Sequence, residues 1–254
     1  MTHCESPQFH AFDPNGPMRV YVRNLPHWRQ PGATYFVTFR QADSIPASVL
    51  AEWLDIRQRW WKAHGLSGSM KENAPDQFDQ AYASISEGVR RAFEREQAMM
   101  LHEEVDLCHG SCVLQYPDAA QHVADALKFF DGIRFALGDY VVMPNHVHAI
   151  VTPHDGSKLE DLLGSIKKYS SRQVGKWLAD QSQGFQPQGP VQNKPRFWQH
   201  ESYDRIIRDA LELTRFRRYI VDNPLKANLA LAQTPYYAAA WLDNFAERPI
   251  LPTP

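Results

Sequence analysis

The stretch FALGDYVVMPNHVHAIVTP, residues 135–153, constrains the fold more than any other part of the chain. Two runs of apolar and β-branched residues flank Pro144 and Asn145, a pair that reads as a tight turn. Strands joined this way are antiparallel, because parallel neighbours need a long crossover. A purely parallel, doubly wound sheet is therefore excluded. The second strand holds an oddity. His146 and His148 stand two residues apart, so both imidazoles leave one face while Val147 and Ala149 leave the other.

Around this hairpin, strands and helices alternate. TYFVTFR (34–40) and the short CVLQY read as strands, and RFWQHESYDRII as part strand and part turn. Helical spacing with caps and stops predicts helices over 46–65, 75–104, 117–132 and 157–180. A further helix, DALELTRFRRYIVDNP, is expected to halt at Asn223-Pro224. Residues 181–195 are rich in Gln, Gly and Pro and read as a loop. The expected class is α+β, an antiparallel sheet with helices packed on one face. Residues 1–254 read as a single domain, with an extended N-terminal arm (1–30) and a mostly helical insert over about 42–112.

Composition excludes some classes and leaves others open. The chain has 254 residues, of which 43% are hydrophobic, enough for a sizeable core. No apolar run reaches the length of a membrane span, and the first residues lack the basic-then-apolar pattern of a secretory signal. Three cysteines do not make a disulfide framework, so a reducing cytoplasm is expected. The net charge of −2 speaks mildly against nucleic acid. Residues 158–226, however, hold 13 basic against 8 acidic side chains, just downstream of the histidines.

In IKKYSSRQV, Tyr169 and Gln173 are four apart and share a helical face. If that helix packs across the histidine strand, two imidazoles, an amide oxygen and a phenol converge. Two neutral imidazoles and an amide oxygen make an incomplete ligand set for a divalent metal, open to phosphate oxygens. His146, His148 and Gln173 are the expected ligands, and Tyr169 the expected nucleophile for a covalent phosphotyrosine. Lys167, Lys168, Arg172 and Lys176 suit the backbone of a bound strand, with a second route along Lys194, Arg196 and Arg205. Arg215 and Arg218 read as a solvated helix face.

VVMPNHVHAIV followed by SIKKYSSRQV resembles the single-tyrosine HUH transposases of insertion sequences. NLPHWRQPGATYFVTFRQADSIP, FWQHESYDRIIRD and RYIVDNPLKANL extend the resemblance to the REP-associated tyrosine transposases of bacteria, over about residues 19–230. The resemblance implies a ferredoxin-like core and cleavage and rejoining of single-stranded DNA beside hairpins. The tyrosine attacks a 5′ phosphate and a 3′ hydroxyl is released. It matches His146 and His148 to the HUH pair, Tyr169 to the nucleophile and Gln173 to a third ligand for Mg²⁺ or Mn²⁺. The implied partner is single-stranded or hairpin DNA, bound by a monomer or homodimer at the bacterial nucleoid in the cytoplasm. The near-neutral charge departs from the family's usual basic balance.

Rival readings are a nucleotide hydrolase of the HIT type, a zinc site and a domesticated hairpin-binding protein that no longer transposes. The hydrolase needs a third histidine at position 150, which is Ile. The zinc site would use His102, Cys108, His109 and Cys112, without a second ligand pair of standard spacing.

Overall fold

The computed structural model describes residues 7–23, 25–181 and 196–251. Its centre is a sheet of five strands, all paired antiparallel. Naming elements in chain order, β1 (Arg19–Val22) and β2 (Pro26–Arg29) form a separate two-stranded hairpin. The sheet proper comprises β3 (Tyr35–Arg40), β4 (Phe135–Val142), β5 (His146–Pro153), β6 (Tyr203–Ile206) and β7 (Tyr236–Tyr237). They lie in the order β6-β3-β5-β4-β7. With helices α5 (Pro117–Lys128) and α6 (Leu159–Gln181) this is the β-α-β-β-α-β order of a ferredoxin-like core, extended by β7. Between β3 and α5 lies the insert, α1 (Ala47–Ala63), α2 (Gly68–Asn73), α3 (Pro75–Ser84) and α4 (Glu87–Asp106), and α7 (Ala210–Lys226) follows β6.

Each face of the sheet has its own core. Val37, Phe39, Val147, Ala149 and Val151 pack against α5 and α6, which contribute Val123, Leu127, Leu162, Ile166 and Val174. The alternate residues Phe36, Val141 and Ile150 pack against Leu213 and Ile220 of α7. The period of two in β3 and β5 thus divides the molecule. Helices cover both faces, not the one expected. Both crossover helices need an apolar strand face and share one, leaving the face with the histidines to α7 and the insert.

Several local expectations are corrected. The N-terminal stretch read as an extended arm contains the β1–β2 hairpin. CVLQY makes a 3₁₀ turn over Val113–Gln115 instead of a strand, with Cys112 in the left-handed region at φ 47°. Helix 75–104 is broken by extended backbone at Ile85. Helix α7 does not stop at Asn223 but runs through Pro224 to Lys226. A proline in the last turn removes only one hydrogen bond near an end that frays anyway, so the helix continues. Of the basic pair, Arg215 and Arg218 are exposed as expected.

The β1–β2 hairpin is tied to β6 by charge. His27 Nδ1 lies 2.6 Å from Asp204 Oδ2, and its Nε2 lies 3.0 Å from Glu201 Oε1. Arg29 also pairs with Asp204. Burial opposes a charge on His27, but the hydrogen bonds to Asp204 and Glu201 outweigh it and raise its pKa from 6.5 to about 9. A histidine whose pKa is raised on folding contributes stability fully present below 6.5 and lost as pH climbs through about 9. Urea midpoints should therefore fall between those limits in the wild type and vary less in His27→Gln. Parallel pH profiles for the two proteins would contradict the tie.

The pairing of β4 with β5 shifts register between Leu137 and Tyr140, a bulge that holds Gly138 and Asp139. A Cβ on Gly138 would lie 2.8 Å from Ile150 Cβ and 3.0 Å from Ile150 O. Backbone cannot give way there as a flexible side chain could. Gly138→Ala should cost about 1–3 kcal/mol by overpacking, read as a lower urea midpoint at constant m-value. An unchanged midpoint would mean that the bulge relaxes freely.

Candidate active site

His146 and His148 emerge side by side from β5 onto the face covered by α7, and both are fully buried. Their Nε2 atoms are 3.0 Å apart. Phe36 stacks on His148 at 5.4 Å and on Phe216 of α7 at 4.1 Å, fixing the depth of the pocket. Helix α7 starts from an N-cap in which Asp209 accepts the Glu212 amide hydrogen. Phe216, Tyr219 and Asn223 then follow at helical spacing on the face turned to the histidines. The Tyr219 ring lies 4.9 Å from that of His148, edge on, and Asn223 Oδ1 lies 3.2 Å from His146 Nε2.

The last turn of α4 completes the group. Asp106 accepts hydrogen bonds from the Tyr219 hydroxyl at 3.0 Å, from Asn223 Nδ2 at 2.7 Å and from Lys226 Nζ at 3.2 Å. Its Oδ1 lies 3.9 Å from His146 Nε2 and 4.0 Å from His148 Nε2. His102, one turn earlier on α4, meets Tyr203 edge on and Tyr219 at a tilt.

Hydrogen bonding sets the protonation of these groups. His146 Nδ1 faces Asn145 Oδ1 at 2.7 Å, and the Asn145 amide nitrogen donates to His109 O. The amide oxygen is thereby fixed as an acceptor, so the proton of the neutral ring sits on Nδ1 and Nε2 carries a lone pair. Burial, with His148 beside it, drives the pKa of His146 well below its ordinary value. Burial also brings His148 down to about 4, and its Nδ1 is held by Thr38 Oγ1 at 2.7 Å. Both rings are neutral at physiological pH. Burial opposes the charge on Asp106, yet His148, Asn223 and Lys226 hold its carboxyl well below the usual range. Burial and the Asp106 charge push the Tyr219 phenol up.

This donor set fits a divalent cation. Asn223 Nδ2 is committed to Asp106, so Asn223 Oδ1 confronts the lone pair of His146 Nε2 at 3.2 Å. Two acceptors facing each other in a buried site are satisfied by a cation between them. Spacings of 3.0 and 3.2 Å are those of adjacent corners of an octahedron with ligands at about 2.1 Å. Asp106, His146 and His148 each offer one ligand atom, all within 4.8 Å of one another.

The structure does not bring Tyr169 or Gln173 to the histidines. Both lie on α6, whose buried residues pack on the Val147 face, so the sheet stands between them and the imidazoles. Tyr169 is 46% exposed and stacks on Phe129 at 6.2 Å. The tyrosine and amide that do meet the pair, Tyr219 and Asn223, have the same spacing of four on the next long helix. Asp106 was missed as well; its one signal is His102-x-x-x-Asp106, a pair on one face of a helix.

The basic residues divide. Lys168, Arg172 and Lys176 are exposed on α6, away from the histidine face. Lys167 spends its ammonium on the carbonyls of Gln199 and His200, and burial lowers its pKa to about 8. Lys167, Lys168 and Arg196 line one groove of about 600 Å³ with Tyr21 and Arg23. Arg205 is paired with Glu212. Lys194 falls outside the described residues. Cys112 Sγ donates to Cys108 O, and burial pushes both thiols up, which is no preparation for zinc.

Fold and site define a class: an antiparallel α+β protein with a metal-capable histidine pair beneath a tyrosine-bearing helix. Residues 119–223, from α5 to Asn223, match the family described as "Transposase IS200 like". The transposase family expected from the sequence motifs is the family found. A solved structure described as "Structure of the REP associates tyrosine transposase bound to a REP hairpin" is similar at 14% identity, with a TM-score of 0.39. That likeness covers 81% of this chain and 74% of that one. No curated protein matches the chain. Among the described residues, no helix is long and apolar enough to cross a membrane.

Proposed function

We propose that this chain cuts and rejoins single-stranded DNA beside a hairpin, through a 5′-phosphotyrosine formed on Tyr219. One observation carries the reading: the Tyr219 hydroxyl, the His146–His148 pair and Asn223 meet on one face of the sheet, in a site shared with Asp106. The IS200-like family match and the sequence motifs support the substrate class.

His146, His148 and Asn223, with Asp106, would hold Mg²⁺ or Mn²⁺. When bound, the cation supplies neutralising charge to the scissile phosphate. Tyr219 Oη forms a bond to phosphorus as the bond from phosphorus to the 3′ oxygen breaks. Asp106 orients the phenol through the existing hydrogen bond, the phenolic proton passes to water, and the departing 3′ oxygen takes a proton from water. Rejoining reverses these steps with a 3′ hydroxyl as nucleophile. Burial and the Asp106 charge keep the Tyr219 phenol protonated at neutral pH.

The test is incubation with single-stranded hairpin DNA and Mg²⁺ or Mn²⁺, followed by denaturing electrophoresis. A covalent protein–DNA adduct that disappears in EDTA is expected. Hairpin binding without any adduct would leave a binding module and overturn the enzymatic reading.

A further inference from the structure

Helices α1 and α4 of the insert approach the histidine face of the sheet along β3 and β6, and a cavity of about 230 Å³ remains between them. Leu50, Trp53 and Leu101 form its apolar wall, and Thr38, Arg40 and Tyr203 reach it from the sheet. Thr38 is also the residue that holds His148 Nδ1. Arg40 is the register partner of His146 and points to the same face. The cavity therefore adjoins the metal-capable group.

Arg40 is the residue that calls for a ligand. It is 8% exposed, and its hydrogen-bond partners are neutral: Ser44 Oγ at 3.0 Å and Gln41 O at 3.4 Å. Among the described residues no carboxylate is in ion-pair contact with it, and Glu201 favours its charge only from a longer range. Glu201, the acid that lines the cavity, is engaged by His27 and the Leu25 amide. Buried guanidinium groups are ordinarily paired, because an isolated charge is costly to desolvate. Burial brings the pKa of Arg40 down to about 10, so it is still a cation at neutral pH. A phosphate entering the cavity would supply a directly bonded counter-charge in the geometry that arginine suits best.

The surroundings indicate which phosphate. Gln199, Glu201 and Ser202 line both this cavity and the larger groove that carries Arg23, Lys168 and Arg196. Groove and cavity flank one short segment at the β6 edge. An extended strand laid in the groove would cross the edge there and meet aromatic side chains beside the site. The cavity has room for one base, not for a base pair.

We infer that this cavity takes the nucleotide next to the scissile phosphate, with its base against Trp53 and Tyr203 and its own phosphate on Arg40. The inference rests on the proposed cleavage of single-stranded DNA and gives the helical insert a role: it forms half of a pocket that only an unpaired nucleotide enters. Stacking on aromatic side chains tolerates any base, so the pocket selects unpaired DNA more than sequence.

The test is photo-crosslinking in EDTA, with a single-stranded octanucleotide pool randomised except for one central 5-iodouracil. Crosslinked peptides should contain Trp53 or Tyr203. Arg40→Gln should lower that crosslinking at least about fivefold, and Trp53→Leu should remove the α1 crosslink, with both variants melting as the wild type does. Crosslinks confined to groove residues such as Tyr21 and Phe197, or an Arg40→Gln protein that crosslinks normally, would overturn the inference. The adduct assay on the same preparations separates the two ideas. Cavity crosslinks without a covalent tyrosine adduct would refute the cleavage reading alone, and an adduct without cavity crosslinks would refute the pocket alone.

Discussion

Tyr219→Phe is expected to reduce cleavage and covalent adduct below about one-thousandth of wild type, while Tyr169→Phe leaves both unchanged. Only the phenolic oxygen is lost in either variant. At position 219 that oxygen bonds Asp106 beside the histidine pair, and at position 169 it faces solvent on the far side of the sheet. Hairpin affinity should be little altered in Tyr219→Phe, since the ring keeps its contacts with His148 and His102. Electrophoresis of end-labelled hairpin DNA measures both outcomes. Full activity in Tyr219→Phe, with loss in Tyr169→Phe, would require a rearrangement that carries α6 around the sheet edge.

Arg217→Met should destabilise the protein by about 3–5 kcal/mol, the largest stability effect expected outside the apolar core. Arg217 is fully buried on α7 and donates to Asp139 at 2.9 Å, to Asp243 at 2.8 Å and to Ala246 O at 2.9 Å. Asp139 stands in the β4 bulge, also fully buried, and takes a second hydrogen bond from Ala239 N. Burial pushes the Asp139 carboxyl up despite the guanidinium beside it, so the pair is held together against desolvation. Removing one partner leaves an uncompensated buried charge. Replacing both, in Arg217→Met with Asp139→Leu, should recover part of the loss. Urea unfolding of the three proteins tests this, and a single variant within about 1 kcal/mol of wild type would show the pair to be dispensable. The tie also matters to the site, because it locks to the sheet the helix that carries Tyr219 and Asn223.

The β4–β5 hairpin, the histidine face and most helix positions were legible because hydrophobic period and turn chemistry are local. What was not legible is which helix covers which face. Tyr169–Gln173 and Tyr219–Asn223 have the same spacing, and helical periodicity cannot tell one from the other. The deciding signal lay in β5. Helix α6 connects strands that run parallel to each other, as α5 does, and both seat apolar stripes on Val147, Ala149 and Val151. Histidines on the alternate positions had to face elsewhere. Asn223-Pro224 read as a stop signal, which hid Asn223 as a helical residue one turn beyond Tyr219. Arg217 was passed over between two exposed arginines, because its acids are remote in sequence, at 139 and 243. Asp106 came from the insert, where only its helical spacing from His102 marked it.

The central claim is that the nucleophile stands on α7, on the histidine face. The most direct measurement is proteolysis of the covalent protein–DNA adduct, with mass spectrometry of the nucleotide-bearing peptide. The account predicts a peptide from α7 with the 5′ phosphate on Tyr219. Recovery of the phosphate on Tyr169, in a peptide from α6, would contradict it.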